Sequence, residues 1–190
     1  MIDFSPVAKQ KMNWTRFAAQ FSKQDLIAQT NQLTDHILDL IEEATDADVV
    51  FDPDDPEAYD PYAENSDEEA IGWNLGHIIV HLTASNEESA FLAAELARGV
   101  EVEYRRSRWE VPWETVTTIE QCRHRLEESR RMLLASLEMW PDSPELNNFY
   151  KTPKGFSITA QVRFLLGQNH ADSHLEQIKD ELNQAKQVLA

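Results

Sequence analysis

Four stretches of the chain carry apolar residues at alternating spacings of three and four, and this periodicity constrains the fold more than any other feature. One face of an α-helix repeats at that interval, whereas a strand alternates every second residue. The first stretch runs from Trp14 to Glu43, with Leu33, Ile37, Leu40, Ile41 and Ala44 as its apolar row. The second runs from Glu69 to Arg98 along Ile71, Leu75, Ile78, Leu82 and Ser85, and Gly99 follows as a helix stop. The third opens at Thr118, whose hydroxyl can cap exposed amides, and closes at "WPDSP". Its row is Ile119, Cys122, Leu126, Ser129, Leu133 and Leu137. The fourth follows "TPKGFS", with Ser157 as its cap, and its row is Val162, Leu166, His170, His174, Ile178 and Leu182. Five glycines in 190 residues suit such a chain. The expected fold class is all-α: one domain spanning 1–190, a four-helix bundle with long connections.

The connections limit the topology. Residues 46–70 hold eleven carboxylates and no Lys or Arg, and three prolines keep the segment from forming a regular helix. Residues 99–117 alternate Val, Tyr and Trp and suggest a short extended piece; residues 141–156 are rich in Pro and Asn. Connections of this length predict at least one crossing between helices that are not neighbours.

A formal net charge of −17 argues against nucleic acid and anionic membrane surfaces as partners, because both repel such a chain. The single cysteine, Cys122, cannot form an internal disulfide and lies on the apolar row of the third helix, which reads as core. The first residues, "MIDFSPVAKQKMNW", lack the basic and apolar regions of a signal peptide, and no apolar run is long enough to cross a bilayer. The expected localisation is cytoplasmic.

Histidines carry the chemistry. His170 and His174 are four residues apart, in line between Leu166 and Ile178, so they share a face of the fourth helix with core leucines. The second helix repeats the spacing with His77 and His81. His81 is about 60° from the centre of its buried stripe and His77 about 100°, which makes His81 the better inward candidate. Neutral imidazole is the commonest nitrogen ligand of divalent transition metals, and a third nitrogen from a facing helix would leave positions open for chemistry. A metal so held lowers the pKa of bound water or polarises a carbonyl or thiol. Competing templates fail: no Glu lies between His170 and His174, no Glu-x-x-His occurs, and the acidic segment lacks the glycine and closing Glu of an EF-hand. His36 and His124 read as solvated helix residues. Asn169, Asp172 and Gln177 flank the pair and are candidates to orient imidazoles, Asp172 reading instead as surface. Trp109 and Trp113, with Arg105, Arg106 and Arg108, suit either a pocket mouth or a dimer seam.

Two segments resemble a known family. "GWNLGHIIVHLTASNEE" is similar to the tryptophan-then-histidine segment of the DinB/YfiT-like proteins, and "TPKGFSITAQVRFLLGQNHADSHLEQI" to their closing helix with its His-x-x-x-His and Gln-Ile. The resemblance implies a four-helix bundle that binds a divalent transition metal (nickel, zinc or iron) through His81, His170 and His174. It implies a small-molecule substrate, a low-molecular-weight thiol among the candidates, since relatives include mycothiol-dependent maleylpyruvate isomerases and bacillithiol transferases. It also implies a homodimer. Two positions depart from the family: Leu175-Glu176 stand where it often has Arg or Gly, and His77 stands where it is often acidic. The functional expectation is a metal-dependent enzyme of hydrolase or thiol S-transferase type, with no catalytic residue assigned and no organic cofactor. The competing expectations are a non-catalytic metal-binding or stress-associated interaction protein and an interaction module without metal.

Overall fold

The computed structural model describes residues 1–56, 58, 70–103 and 112–189. Residues 57 and 59–69 of the acidic segment, together with Arg105, Arg106, Arg108 and Trp109, lie outside the described residues.

The elements are α1 (Ser5–Ala8), α2 (Trp14–Ala18), α3 (Lys23–Leu40), α4 (Asp46–Val49), α5 (Leu75–Ala97), the 3-10 turn η1 (Trp113–Thr115), α6 (Ile119–Glu138), β1 (Phe149–Lys151), β2 (Ser157–Thr159), α7 (Ala160–Ser173) and α8 (Leu175–Leu189). Four long helical stretches form a closed ring, in which α3 packs on α6, α6 on α5, α5 on α7 and α7 on α3. Helices α3 and α5 therefore lie across a diagonal, as do α6 and α7. Both long connections, α3 to α5 and α6 to α7, cross the bundle, and only α5 and α6 are joined as neighbours.

Local chemistry shifts the boundaries from those the periodicity predicts. The expected helix Trp14–Glu43 is two helices, because Ser22 forms a capping box with Asp25: the Asp25 amide donates to Ser22 Oγ at 3.2 Å and the Ser22 amide to Asp25 Oδ2 at 2.8 Å. The second helix starts at Leu75 rather than Glu69, where Asn74 Oδ1 accepts from the His77 amide at 2.9 Å. Ile71 consequently lies outside the helix and is exposed. Thr118 caps α6 as expected, in a box with Gln121. Ser157 does not cap a helix. It opens β2, which pairs antiparallel with β1 in the register Phe149↔Thr159, Tyr150↔Ile158 and Lys151↔Ser157. An antiparallel pair thus lies in the third connection, where the sequence suggested none. Residues 104–111 of the second connection are outside the described residues.

The fourth helix breaks at His174, and its neighbours explain the break. Ser173 Oγ donates to the His170 carbonyl at 2.6 Å, the acceptor that His174 N–H would use in a continuous helix. The His174 amide turns instead to the Ala171 carbonyl at 3.2 Å, and α8 departs from there.

The core divides into two apolar clusters. One gathers Phe17, Leu26, Leu96, Leu137 and Phe164; the other gathers Leu33, Ile37, Leu75, Ile78, Leu126 and Ile178. Each long helix has buried polar residues between its contributions to the two: Gln29 and Thr30 on α3, Thr83, Asn86 and Glu87 on α5, Ser129 on α6, and Gln168 on α7. Buried polar groups need partners. Arg125 meets Glu87 through two contacts of 2.6 and 2.7 Å, and Gln168 Nε2 donates to Asn86 Oδ1 at 3.2 Å. Gly167 lets α7 approach here, since a Cβ at that position would lie 2.6 Å from Ser89 Cβ. The close α5–α7 contact places the histidines of the two helices opposite one another.

A candidate metal centre between two neighbouring helices

The line of α5 left half-exposed by packing is His77, His81, Ala84, Glu88, Phe91 and Glu95, the spacing of one helix face. Ser85, expected on the buried stripe, is half-exposed beside it. The line faces the groove toward α7. His81 meets His170 and His174 there, with ring centroids at 4.8 Å to His170 and 5.1 Å to His174, while His170 and His174 are 4.8 Å apart. All three rings are half-buried, so the face they occupy is a groove wall rather than the centre of the core. One ligand nitrogen from each ring can be chosen so that all three lie within 4.8 Å of one another. His81 Nε2 and His170 Nε2 are 3.0 Å apart. Two nitrogens bound to one ion at about 2.1 Å in tetrahedral geometry would be about 3.4 Å apart. The pair needs a few tenths of an ångström to accept an ion, and His174 must close by somewhat more.

The protonation states suit ligation, which needs neutral imidazole. Burial is the main cause holding His170 down to about 4, and His174 and Arg163 add to it. Burial also lowers His174, against the opposing effect of its hydrogen bond to Gln177. Protons therefore compete for the His170 nitrogen only well below the usual imidazole range, and burial works in the same direction at His174. His174 Nδ1 lies 2.7 Å from Gln177 Oε1. A carboxamide oxygen only accepts, so Nδ1 carries the hydrogen and the Nε2 lone pair is left for the site. Replacing Gln177 with Leu removes this fixed tautomer and should weaken metal affinity by about 10-fold or more. A chelator-competition titration would show it, and an unchanged affinity would mean that Gln177 plays no part.

The other flanking residues divide differently. Asp172 is half-buried rather than surface, and burial raises its carboxyl; the charges that act on it are those of His36, the amino terminus and Asp3. His36 is half-buried beside it, against the expectation of a solvated residue, while His124 is exposed as expected. Cys122 is fully buried, with its thiol pushed up to about 12 by burial first and by the charge of Glu181, which fits core packing rather than nucleophilic work.

The sequence offered Trp113 for a pocket mouth or a dimer seam and gave Trp73 no role, and the structure sets both in an aromatic wall beside the triad. Trp73 stacks on His77 at 4.4 Å and 24°, and His77 stacks on Trp113 at 4.6 Å and 2°. Trp73 also lies 4.5 Å from the His81 ring and 5.9 Å from that of His174. Aromatic pairs contribute about 0.5–1.5 kcal/mol each beyond their burial. Trp73 and His77 are four residues apart, but Trp73 precedes the Asn74 cap, so their contact is not one that helical spacing supplies. Trp113 is distant in sequence and arrives through Gly76, where a Cβ would lie 2.6 Å from the Val116 carbonyl.

A family model described as the DinB superfamily matches residues 29–178. The chain belongs to the DinB superfamily. No curated protein and no solved structure matches it. The DinB match runs from α3 to the first turn of α8 and contains His81, His170 and His174 together with Trp73 and Gln177. Among the described residues of this DinB protein, no helix is long and apolar enough to cross a membrane.

Proposed function

We propose that this DinB protein binds a divalent transition metal on His81, His170 and His174 and acts as a metal-dependent enzyme on small molecules, of the hydrolase or thiol S-transferase type. The observation that carries the reading is the convergence of three imidazole nitrogens within 4.8 Å, from two helices, on a half-buried groove wall. The donor set fits a borderline ion such as nickel, zinc or iron better than magnesium or calcium, which favour oxygen. Three protein ligands leave positions for substrate, and an ion there supplies Lewis acidity at neutral pH.

The chain's own residues define the surroundings. Gln177 orients His174, and Trp73 covers one side of His81. The Arg163–Glu88 pair, at 3.5 Å, flanks the groove toward the N-terminal end of α7. A low-molecular-weight thiol is the co-substrate class to test first, and we propose a cytoplasmic homodimer as the working form.

Elemental analysis of protein purified without a histidine tag or added metal tests the centre, and turnover of an electrophile with and without thiol tests the activity. Bound metal without turnover of either kind would favour a non-catalytic metal-binding role. The position of Trp73 provides an optical readout. Titration with nickel should quench indole emission, because the Trp73 ring is 4.5 Å from His81, and most of that quenching should vanish in Trp73→Phe. Equal quenching in both proteins would place the nickel elsewhere.

A further inference from the structure

Resting on the metal reading above, we infer that His77 is a positioning residue: its ring, held between Trp113 and Trp73, fixes Trp73 against His81 and His174 and so sets the geometry of the centre without ligating. His77 has the i, i+4 relation to His81 that His170 has to His174, so sequence spacing alone would make it a fourth ligand. The geometry assigns it differently. Among the described residues the cluster that could hold a metal is His81, His170 and His174, and His77 is not part of it. Its two faces are taken by indoles, at 4.6 Å and 2° from Trp113 and at 4.4 Å and 24° from Trp73.

What the stack holds matters more than the stack itself. Trp73 precedes the Asn74 cap and lies outside α5, so helical hydrogen bonding does not fix it. The Trp73 ring nevertheless contacts His81 at 4.5 Å, tilted by 52°, and lies nearly parallel to His174 at 5.9 Å and 23°. A run of ring contacts thus leads from η1 through His77 and Trp73 to the hinge between α7 and α8. An imidazole that ligates must point a nitrogen at the ion, and a flat neighbour on its face limits its rotation. His77 supplies to Trp73 the restraint that the backbone does not. A planar ring of similar size should do the same without any nitrogen, and this separates stacking from ligation.

The test compares wild type, His77→Phe, His77→Ala, Trp113→Ala and the His77→Ala/Trp113→Ala double variant. Nickel affinity is measured by chelator competition, the ligand field by absorption of the cobalt-loaded proteins, and folding by circular dichroism. His77→Phe should stay within about threefold of wild type with the same cobalt spectrum. His77→Ala and Trp113→Ala should each lose about 10-fold, the lower end for residues that orient ligands. The double variant should lose little more than either single one, as expected for residues acting through one unit. If His77→Phe were as weak as His77→Ala and its cobalt spectrum changed, His77 would be a ligand and the inference would be wrong. Wild-type affinity in a folded His77→Ala would show that the stack is irrelevant to the centre. Wild-type protein that takes up neither metal would instead remove the metal reading, and this inference with it.

Discussion

Alanine at His81, His170 or His174 is expected to yield folded protein that emerges from purification without metal. Each change removes one of three nitrogens that converge within 4.8 Å, leaving two, too few to hold an ion against buffer and water. The loss should far exceed the about 10- to 100-fold typical of residues that only orient ligands. His124→Ala provides the control, because that ring is exposed on α6, and it should retain full metal content. Thermal unfolding separates metal loss from misfolding. An ion present at about a thousand times its Kd stabilises the folded state by about 4 kcal/mol, so wild type and His124→Ala should melt higher with metal than with chelator. The three alanine variants should melt at one temperature in both conditions. A stoichiometric ion retained by His81→Ala, with His77→Ala left empty, would move the centre one turn along α5 and overturn the ligand set.

The sequence disclosed the parts of this site that depend on one helix. The pairing of His170 with His174 follows from their spacing, whereas the angle to the stripe of Leu75, Ile78 and Leu82 favours His81 as the inward residue although both it and His77 are half-exposed, and it is the rings each one meets that separate them. Contacts that require packing were not legible. The stripe on α5 accounts for only part of its burial, because α6 and α7 cover further faces and bury Ile79, Val80 and Ala93 as well. The break at His174 has a local cause in the Ser173 hydroxyl, yet periodicity runs through it from Leu166 to Ile178 without a signal. The β1–β2 pair was hidden because Tyr150 and Ile158, the inward residues, are single apolar positions in three-residue strands. Trp113 could be placed near the site or at a seam with equal reason, and the close approach at Gly76 that brings it to the site has no signal in the sequence.

Replacing Glu181 with Gln should remove most of the alkaline loss of stability in the metal-free protein. Glu181 occupies the apolar side of α8 between Ile178 and Ala185 and is 2% exposed. Burial pushes its carboxyl up to about 8 and the charge of Asp48 adds to this, while the Leu75 amide opposes it. An unfolded chain would release that proton near 4.5. Between pH 4.5 and 8 the folded state thus keeps a proton that the unfolded state has lost, so stability declines as pH rises through this window. His170 has the opposite slope. It is held near 4 against an ordinary 6.5, so in that interval the unfolded state carries the extra proton and stability declines as pH falls. The two contributions cancel between about 4.5 and 6.5 and leave a plateau there. Above the plateau only the Glu181 slope remains of the two. One pKa unit corresponds to about 1.4 kcal/mol, so the carboxylate costs about 3 kcal/mol at pH 8 once partial hydration is allowed for. That is a large share of the about 5–15 kcal/mol that holds a domain together. Denaturant melts in chelator at pH 5, 6.5 and 8 should show the wild type level from pH 5 to 6.5 and weakening toward pH 8, whereas Glu181→Gln should gain stability from pH 5 to 6.5, where the His170 slope is no longer cancelled, and stay nearly level from there to pH 8. Parallel profiles for the two proteins would mean that Glu181 is already ionised in the folded state at neutral pH and that α8 is docked against a carboxylate.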